Sequence, residues 1–166
     1  MIRTTHTSDA AAICNIYNYY IENTTTTFEE VAISVDDMHT RITHSLDKYA
    51  HIVYLDNNEI VGFAYATSWR TREAYRFSSE TTVYLKQGHE GKGFGTLLYR
   101  ELIRELKNIR ELKNKGFHLI IGCITIPNEQ SIWLHEKLGF KKAGHFNQAG
   151  WKFNKWLDVG FWQLIV

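Results

Sequence analysis

Apolar positions switch between a helical period and a strand period along the chain, and the switches lay out its elements. Ile2 to Thr5 reads as a short strand, and Ser8 is placed to cap a helix carrying Ile13, Ile16, Tyr17 and Tyr20 on one side. The polar run Thr24 to Thr27 ends that helix. Ser34, followed by Asp37, has the form of a capping box for a second helix that fades near Lys48. Two β-rich runs follow, His51 to Leu55 and Glu59 to Trp69. They are separated by Asp56-Asn57-Asn58, residues that tolerate the positive φ of a hairpin turn, so the two runs are expected to pair antiparallel. A polar stretch, Arg70 to Arg76, leads into a further strand from Phe77 to Leu85.

Beyond a glycine-rich segment, Phe94, Leu98, Leu102, Leu106 and Ile109 recur at steps of four and three. That spacing predicts one helix with a single buried stripe, ending before Gly116. Phe117 to Ile126 is nearly continuous in apolar residues, as expected of a strand buried on both faces and paired in parallel across the preceding helix. Pro127 and Asn128 open another helix that stops at Leu138 before Gly139. Two last strands run from Phe140 to Gly150 and from Asn154 to Ile165. The sum is one α/β domain over residues 1–166 with a mixed sheet, and no repeat or linker interrupts it.

The 166 residues are enough to bury a core without disulfides or a metal. A net charge of +1 argues against a nucleic-acid partner. The cations between Arg100 and Lys115 are interleaved with Glu101, Glu105 and Glu111, the pattern of a solvated helix face. Met1 to Thr7 lacks the apolar stretch of a signal peptide and no run has the length of a membrane span, so no membrane partner and a cytosolic location are expected. Cys14 and Cys123 fit that compartment as small buried residues. None of the eight histidines stands at a metal-ligand spacing, and no metal site is expected.

The chemistry is concentrated in Val83 to Leu98, where a strand runs into alternate glycines, Gly91, Gly93 and Gly95, that open a helix. Alternate glycines let backbone amides approach an anion, and the helix start adds unpaired N–H groups and the positive end of a dipole. The loop is therefore shaped for phosphate. It is not a P-loop, because Lys92 is followed by Gly93 rather than Ser or Thr. It is not a dinucleotide fingerprint either, because the next strand ends in Ile126, Pro127 and Asn128 with no acid for a ribose. On these residues alone, a plain tight strand-to-helix turn remains the competing reading.

The ordered set of helix pair, hairpin, strand, glycine loop, long helix, apolar strand and a helix ending in Leu138-Gly139-Phe140 resembles the GNAT superfamily of N-acetyltransferases over nearly the whole chain. Glu80-Thr-Thr-Val-Tyr-Leu, the loop, the run from Pro127 to Phe140 and Trp156-Leu-Asp158 resemble its phosphinothricin and methionine sulfoximine branch. The resemblance implies a mostly antiparallel mixed sheet with a central parallel pair, flanked by helices. It implies acetyl-coenzyme A as cosubstrate, with the pantetheine arm against Val83 and Leu85 and the pyrophosphate on amides from Gly91 through Lys92, Gly93, Phe94 and Gly95 to Thr96. One departure is Glu90, where relatives carry Arg or Gln; its side chain is expected to turn to solvent, leaving Lys92 to help.

By the same resemblance Glu80 is the general base that frees the acceptor amine, and an N–H near Tyr84 is the oxyanion donor. His135 occupies the site where relatives place a tyrosine, and it reads either as proton donor to the departing thiolate or as a buried, hydrogen-bonded histidine. Asn128 and Ser131 share its helix face and are candidates for coenzyme contacts, Asn128 also reading as a helix cap. For the acceptor, Arg70, Tyr75 and Arg76 match the branch, and Phe28 adds an apolar wall; an arginine fork suits a carboxylate. The implied reaction is direct acetyl transfer in a ternary complex to a small amino-acid-like amine. Acetylation of a peptide amino terminus, or coenzyme binding without catalysis on account of Glu90, are the alternatives. Trp151, Phe153 and Trp156 are candidates for a homodimer patch or for core.

Overall fold

The computed structural model describes residues 1–113 and 116–166, with side chains of the long third helix described through residue 108. Seven strands form one sheet: β1 (Ile2–Thr4), β2 (His51–Asp56), β3 (Glu59–Ser68), β4 (Ser78–Leu85), β5 (Leu119–Ile126), β6 (Lys141–Lys152) and β7 (Lys155–Ile165). Their spatial order is β1-β2-β3-β4-β5-β7-β6, and only β4 and β5 run parallel. The helices are α1 (Ala10–Asn23), α2 (Val35–Lys48), α3 (Phe94–Lys113) and α4 (Glu129–Lys137). This is the single mixed sheet, mostly antiparallel with one central parallel pair, that the resemblance implies.

Local chemistry explains most boundaries. Asn57 and Asn58 both take positive φ in the β2–β3 turn, and Phe153 and Asn154 do so between β6 and β7. Ser34 and Asp37 form the expected reciprocal cap on α2. Ser8 does not cap α1. Instead Asp9 accepts the His6 N–H at 2.8 Å while pairing with Arg3, so the chain makes a single 3-10 turn before α1 begins at Ala10. A second such turn, Glu73–Tyr75, lies within the arginine stretch. Gly139, at φ +90°, ends α4 in the left-handed region.

The sheet has a core on each side. α1 and α2 cover Val53, Phe63 and Tyr84, whereas α3 and α4 cover Ala64, Ala66, Ile120 and Ile124. Leu98, Leu102 and Leu106 supply the buried stripe of α3. Ile109, Glu111 and Lys115 lie outside the residues whose side chains are described; on the described part of the polar face Arg104 pairs with Glu101 and Glu105. Among the described residues no helix is long and apolar enough to cross a membrane.

One irregularity positions everything that follows. The parallel β4–β5 register covers only Ser78↔Leu119, Ser79↔Ile120 and Glu80↔Ile121. Beyond Glu80 the two strands part, although β4 continues to Leu85 and β5 to Ile126. The edges that face one another there have no strand between them.

Candidate active site

The parting strands open onto a cleft of about 730 Å³ lined by Val83, Leu85, Glu90, Gly91, Gly93, Gly95, Thr96, Asn128 and Ser131. Eight of the candidates read from the sequence thus share one cavity with Glu90. Gly91 (φ +75°) and Gly93 (φ +84°) adopt conformations that L side chains rarely take, and a Cβ at either would meet open space. The loop therefore needs glycine for its backbone path, with the surface above it clear. α3 starts at Phe94, so its first amides point into the loop without intrahelical acceptors. Clear backbone, free amides and a dipole end match what an anionic pyrophosphate requires.

Glu90 is not turned away from the loop. Its carboxylate accepts the Gly88 N–H at 2.8 Å and borders the cleft, so one local amide already offsets its charge. Lys92 and Phe94 do not line the cavity; the Phe94 ring stacks on Tyr54 at 4.4 Å. Tyr84 directs its side chain into the opposite core, among Tyr17, Tyr20 and Phe63. The Leu85 carbonyl accepts a hydrogen bond from Tyr20 Oη at 2.8 Å. Tyr20 was legible only as a member of the α1 stripe, yet it also borders the cleft. Trp133 and Lys137 were missed likewise; the Lys137 ammonium sits over the Trp133 ring at 4.3 Å on the α4 flank of the opening.

Glu80 lies at the apex of the parting strands as the last residue of β4 paired with β5, facing the α1–α2 side, and does not itself line the cleft. Burial lifts its carboxyl above the ordinary range, and the Arg70 guanidinium offsets part of that rise. Cys123 opens at the same apex. Expected in the core, its side chain is exposed because it stands past the point where β4 and β5 separate. Crowding by the surrounding protein and then the Glu80 charge push its thiol up to about 12, so it is no thiolate at neutral pH.

His135 is 5% exposed, and its surroundings fix its proton positions. Nδ1 lies 2.7 Å from the Ser131 carbonyl, which can only accept, so Nδ1 carries the hydrogen. Nε2 is then the acceptor, and Tyr99 Oη donates to it at 3.0 Å. The Tyr99 oxygen in turn accepts from Thr81 Oγ1 at 2.7 Å. Gly122 makes room for this: a Cβ there would lie 2.1 Å from His135 Nε2. Burial lowers the imidazole to about 4. A neutral ring with both nitrogens engaged fits the second of the two readings, a hydrogen-bonded core histidine tying α4 to α3 and β4. Asn128 caps α4 by accepting the Ser131 N–H at 3.1 Å.

On the acceptor side Arg70 stacks on Trp69 at 4.7 Å, and Trp69 meets Phe161 edge to face. Arg76 turns to Phe77 and to Glu73 rather than toward Glu80. Tyr75 is exposed on the same loop. Phe28 packs on Gly150, where a Cβ would fall 2.2 Å from its ring. The α1–α2 loop is fixed by buried Lys152, which donates to the Thr27 carbonyl at 2.8 Å, and by Glu29, which accepts from Tyr17 and from Arg41 Nη1 and Nη2. Trp151, Phe153 and Trp156 are exposed at the β6–β7 turn, not core. Among the described residues no cluster of metal-ligating side chains is present.

Comparison with known proteins meets this geometry. Residues 2–160 match the acetyltransferase (GNAT) domain. A phosphinothricin N-acetyltransferase of Streptomyces viridochromogenes is 35% identical, covering 98% of this chain and 85% of its own. An L-methionine sulfoximine/L-methionine sulfone acetyltransferase of Salmonella typhimurium is 32% identical, covering 98% and 92%. A phosphinothricin acetyltransferase of Sinorhizobium meliloti, solved in complex with acetyl-coenzyme A, superimposes with a TM-score of 0.94 at 33% identity, covering 100% of this chain and 88% of that one. With its glycine loop, its parted strands and its matches over the whole length, the chain belongs to the GNAT family of acetyltransferases, whose members take acetyl from acetyl-coenzyme A.

Proposed function

We propose that the chain moves acetyl from acetyl-coenzyme A to the amino group of a small amino-acid-like acceptor of the phosphinothricin or methionine sulfoximine type, by direct transfer in a ternary complex. The observation that carries this reading is the separation of β4 from β5 immediately after Glu80. Glu80, a carboxylate of raised basicity, stands where the strands part, and the cleft bordered by the glycine loop opens beyond that point along Val83 and Leu85.

Val83 and Leu85 would offer backbone groups to the pantetheine arm, with the Leu85 N–H the freer of its two since Tyr20 uses the carbonyl. Amides from Gly91 to Thr96, including those of Lys92, Phe94 and Gly95, would hold the pyrophosphate, and Asn128 and Ser131 border its path. The cosubstrate supplies an activated acetyl thioester. Glu80 removes the ammonium proton of the acceptor, directly or through water, and a backbone N–H near Tyr84, on the cleft edge of β4, steadies the developing oxyanion. Arg70 is the first choice for the acceptor carboxylate because its charge already reaches Glu80; Tyr75 and Phe28 complete that wall, and Arg76 joins it by swinging off Phe77 and Glu73. His135 acts as a positioning residue that holds α4, and with it Ser131, against the cleft. The exposed aromatics at the β6–β7 turn suit a homodimer contact.

The test follows thiol release from acetyl-coenzyme A with phosphinothricin, methionine sulfoximine and a panel of amines. Turnover with the first two is expected. Silence across the panel, with coenzyme binding measured by calorimetry, would leave a binder and sink the enzymatic reading for these acceptors.

A further inference from the structure

A second cavity, of about 380 Å³, lies under α2 on the same sheet face as Glu80. Its size is that of a small-molecule pocket. Its walls include Met38, Phe63, Tyr65 and Thr67, with Arg41 and Thr40 toward its rim and His51 among its lining residues. The rings of His51, Phe63 and Tyr65 are almost parallel, at 6° to 14° to one another, so they present an ordered aromatic surface.

His51 is 3% exposed and its hydrogen bonding is incomplete. Nδ1 lies 2.8 Å from Thr5 Oγ1, and the Thr5 hydroxyl, itself buried, has no other partner among the described residues. The assignment that satisfies the hydroxyl has it donate to Nδ1, which leaves the hydrogen on Nε2. Nε2 has no partner among the described residues. Burial holds the ring neutral, its value lowered to about 4. The cavity therefore combines apolar walls with one N–H donor that no described residue matches and that is open to solvent rather than sealed in the core, a group free to pair with a ligand oxygen.

The pocket is within reach of the chemistry. His51 pairs with Tyr65, Tyr65 with Thr82, and Glu80 is two residues from Thr82 along β4, with its side chain on the same face. Two strand spacings of about 4.8 Å and one two-residue step of about 6.7 Å separate the His51 and Glu80 backbones by roughly 12 Å. Tyr65 stands between them on the same face, so an aromatic amino acid spanning that distance would lie across the Tyr65 ring that lines the cavity. Thr67, opposite Glu80, borders both regions.

We propose that this cavity receives the acceptor's side chain, so that the chain also acetylates L-amino acids whose aromatic side chain ends in a hydrogen-bond acceptor, L-tyrosine being the simplest. This rests on the acetyltransferase reading above. The amine nitrogen bonds the thioester carbonyl carbon and the C–S bond breaks. Sulfur keeps the electron pair, and the amine proton passes to Glu80. The carboxylate meets Arg70 while the phenol oxygen accepts from His51 Nε2.

Thiol release is measured with L-tyrosine, L-phenylalanine, L-alanine and phosphinothricin on wild type, His51→Phe and Thr40→Trp. L-Tyrosine is expected to have a KM at least tenfold below that of L-alanine. His51→Phe keeps a ring in the stack but removes the donor, and should lower the L-tyrosine to L-phenylalanine efficiency ratio about tenfold. Thr40 is exposed, so Thr40→Trp narrows the rim without touching the core, and should lower the efficiency of both aromatic acceptors relative to phosphinothricin. L-Tyrosine no better than L-alanine while phosphinothricin turns over, or unchanged ratios in both variants, would overturn this assignment and leave the proposed function standing. Silence with every acceptor would overturn both.

Discussion

Lowering the pH from 7 to 5 should weaken the folded state through His51 and His135. Both imidazoles are buried and lowered from 6.5 to about 4, so between those values the unfolded chain binds protons that the folded chain refuses. Stability therefore falls as pH falls through that window, and the penalty is complete only below the folded value. Integrating the proton uptake from pH 7 to pH 5 gives about 1.8 kcal/mol for each ring and about 3.7 kcal/mol for the pair. Glu80 works in the opposite direction, because its raised value lets the folded chain take up a proton first. Its offset leaves an expected net loss below that sum, still a sizeable share of the stability of an ordinary domain. Urea unfolding at pH 7, 6 and 5 and constant ionic strength reads this directly. His51→Phe and His135→Leu should each remove about half of the pH slope, whatever they do to stability at pH 7. A wild-type stability flat to within about 1 kcal/mol across the range, or an undiminished slope with both rings replaced, would refute the claim that burial keeps them neutral.

Glu80→Gln should lower kcat by about 10²–10⁴-fold, as loss of a general base does, with coenzyme affinity by calorimetry nearly unchanged; an equal rate would move the base elsewhere. Gly93→Ala meets no steric obstacle but must hold φ +84°, so melting should report a cost of about 1–2 kcal/mol together with weaker coenzyme binding. Gly122→Ala drives a methyl into His135, and chemical denaturation should report a loss of about 2–4 kcal/mol; a neutral result would mean that the ring relocates freely.

The elements were legible because their signals are local. The asparagine turn and the Ser34–Asp37 box each specify a backbone conformation from adjacent residues, and the α3 stripe needs only its own period. Ser8 misled because the decisive partner of that turn is Asp9, held by Arg3 from β1 across a tertiary contact. The loop glycines were legible for the same reason as the turns. His135 was not, since its two readings differ only in whether Tyr99, 36 residues earlier, closes over Nε2. Cys123 looked like an ordinary member of an apolar strand, and nothing in its neighbours announces that β4 turns away beside it. The cavity under α2 is assembled from α1, α2, β2 and β3 and has no sequence signature at all.

The gap between β4 and β5 also bears on how long the protein survives in a cell. A sheet normally exposes its unsatisfied edges at its two margins, and this one has a further pair in its interior. Whatever molecule fills that slot completes the sheet, and at a hundred times its dissociation constant it adds about 2.7 kcal/mol to the cost of unfolding. With the coenzyme placed as proposed above, resistance to proteolysis and to heat would track the metabolite supply, rising in a fed cell and falling when acylated carriers run short.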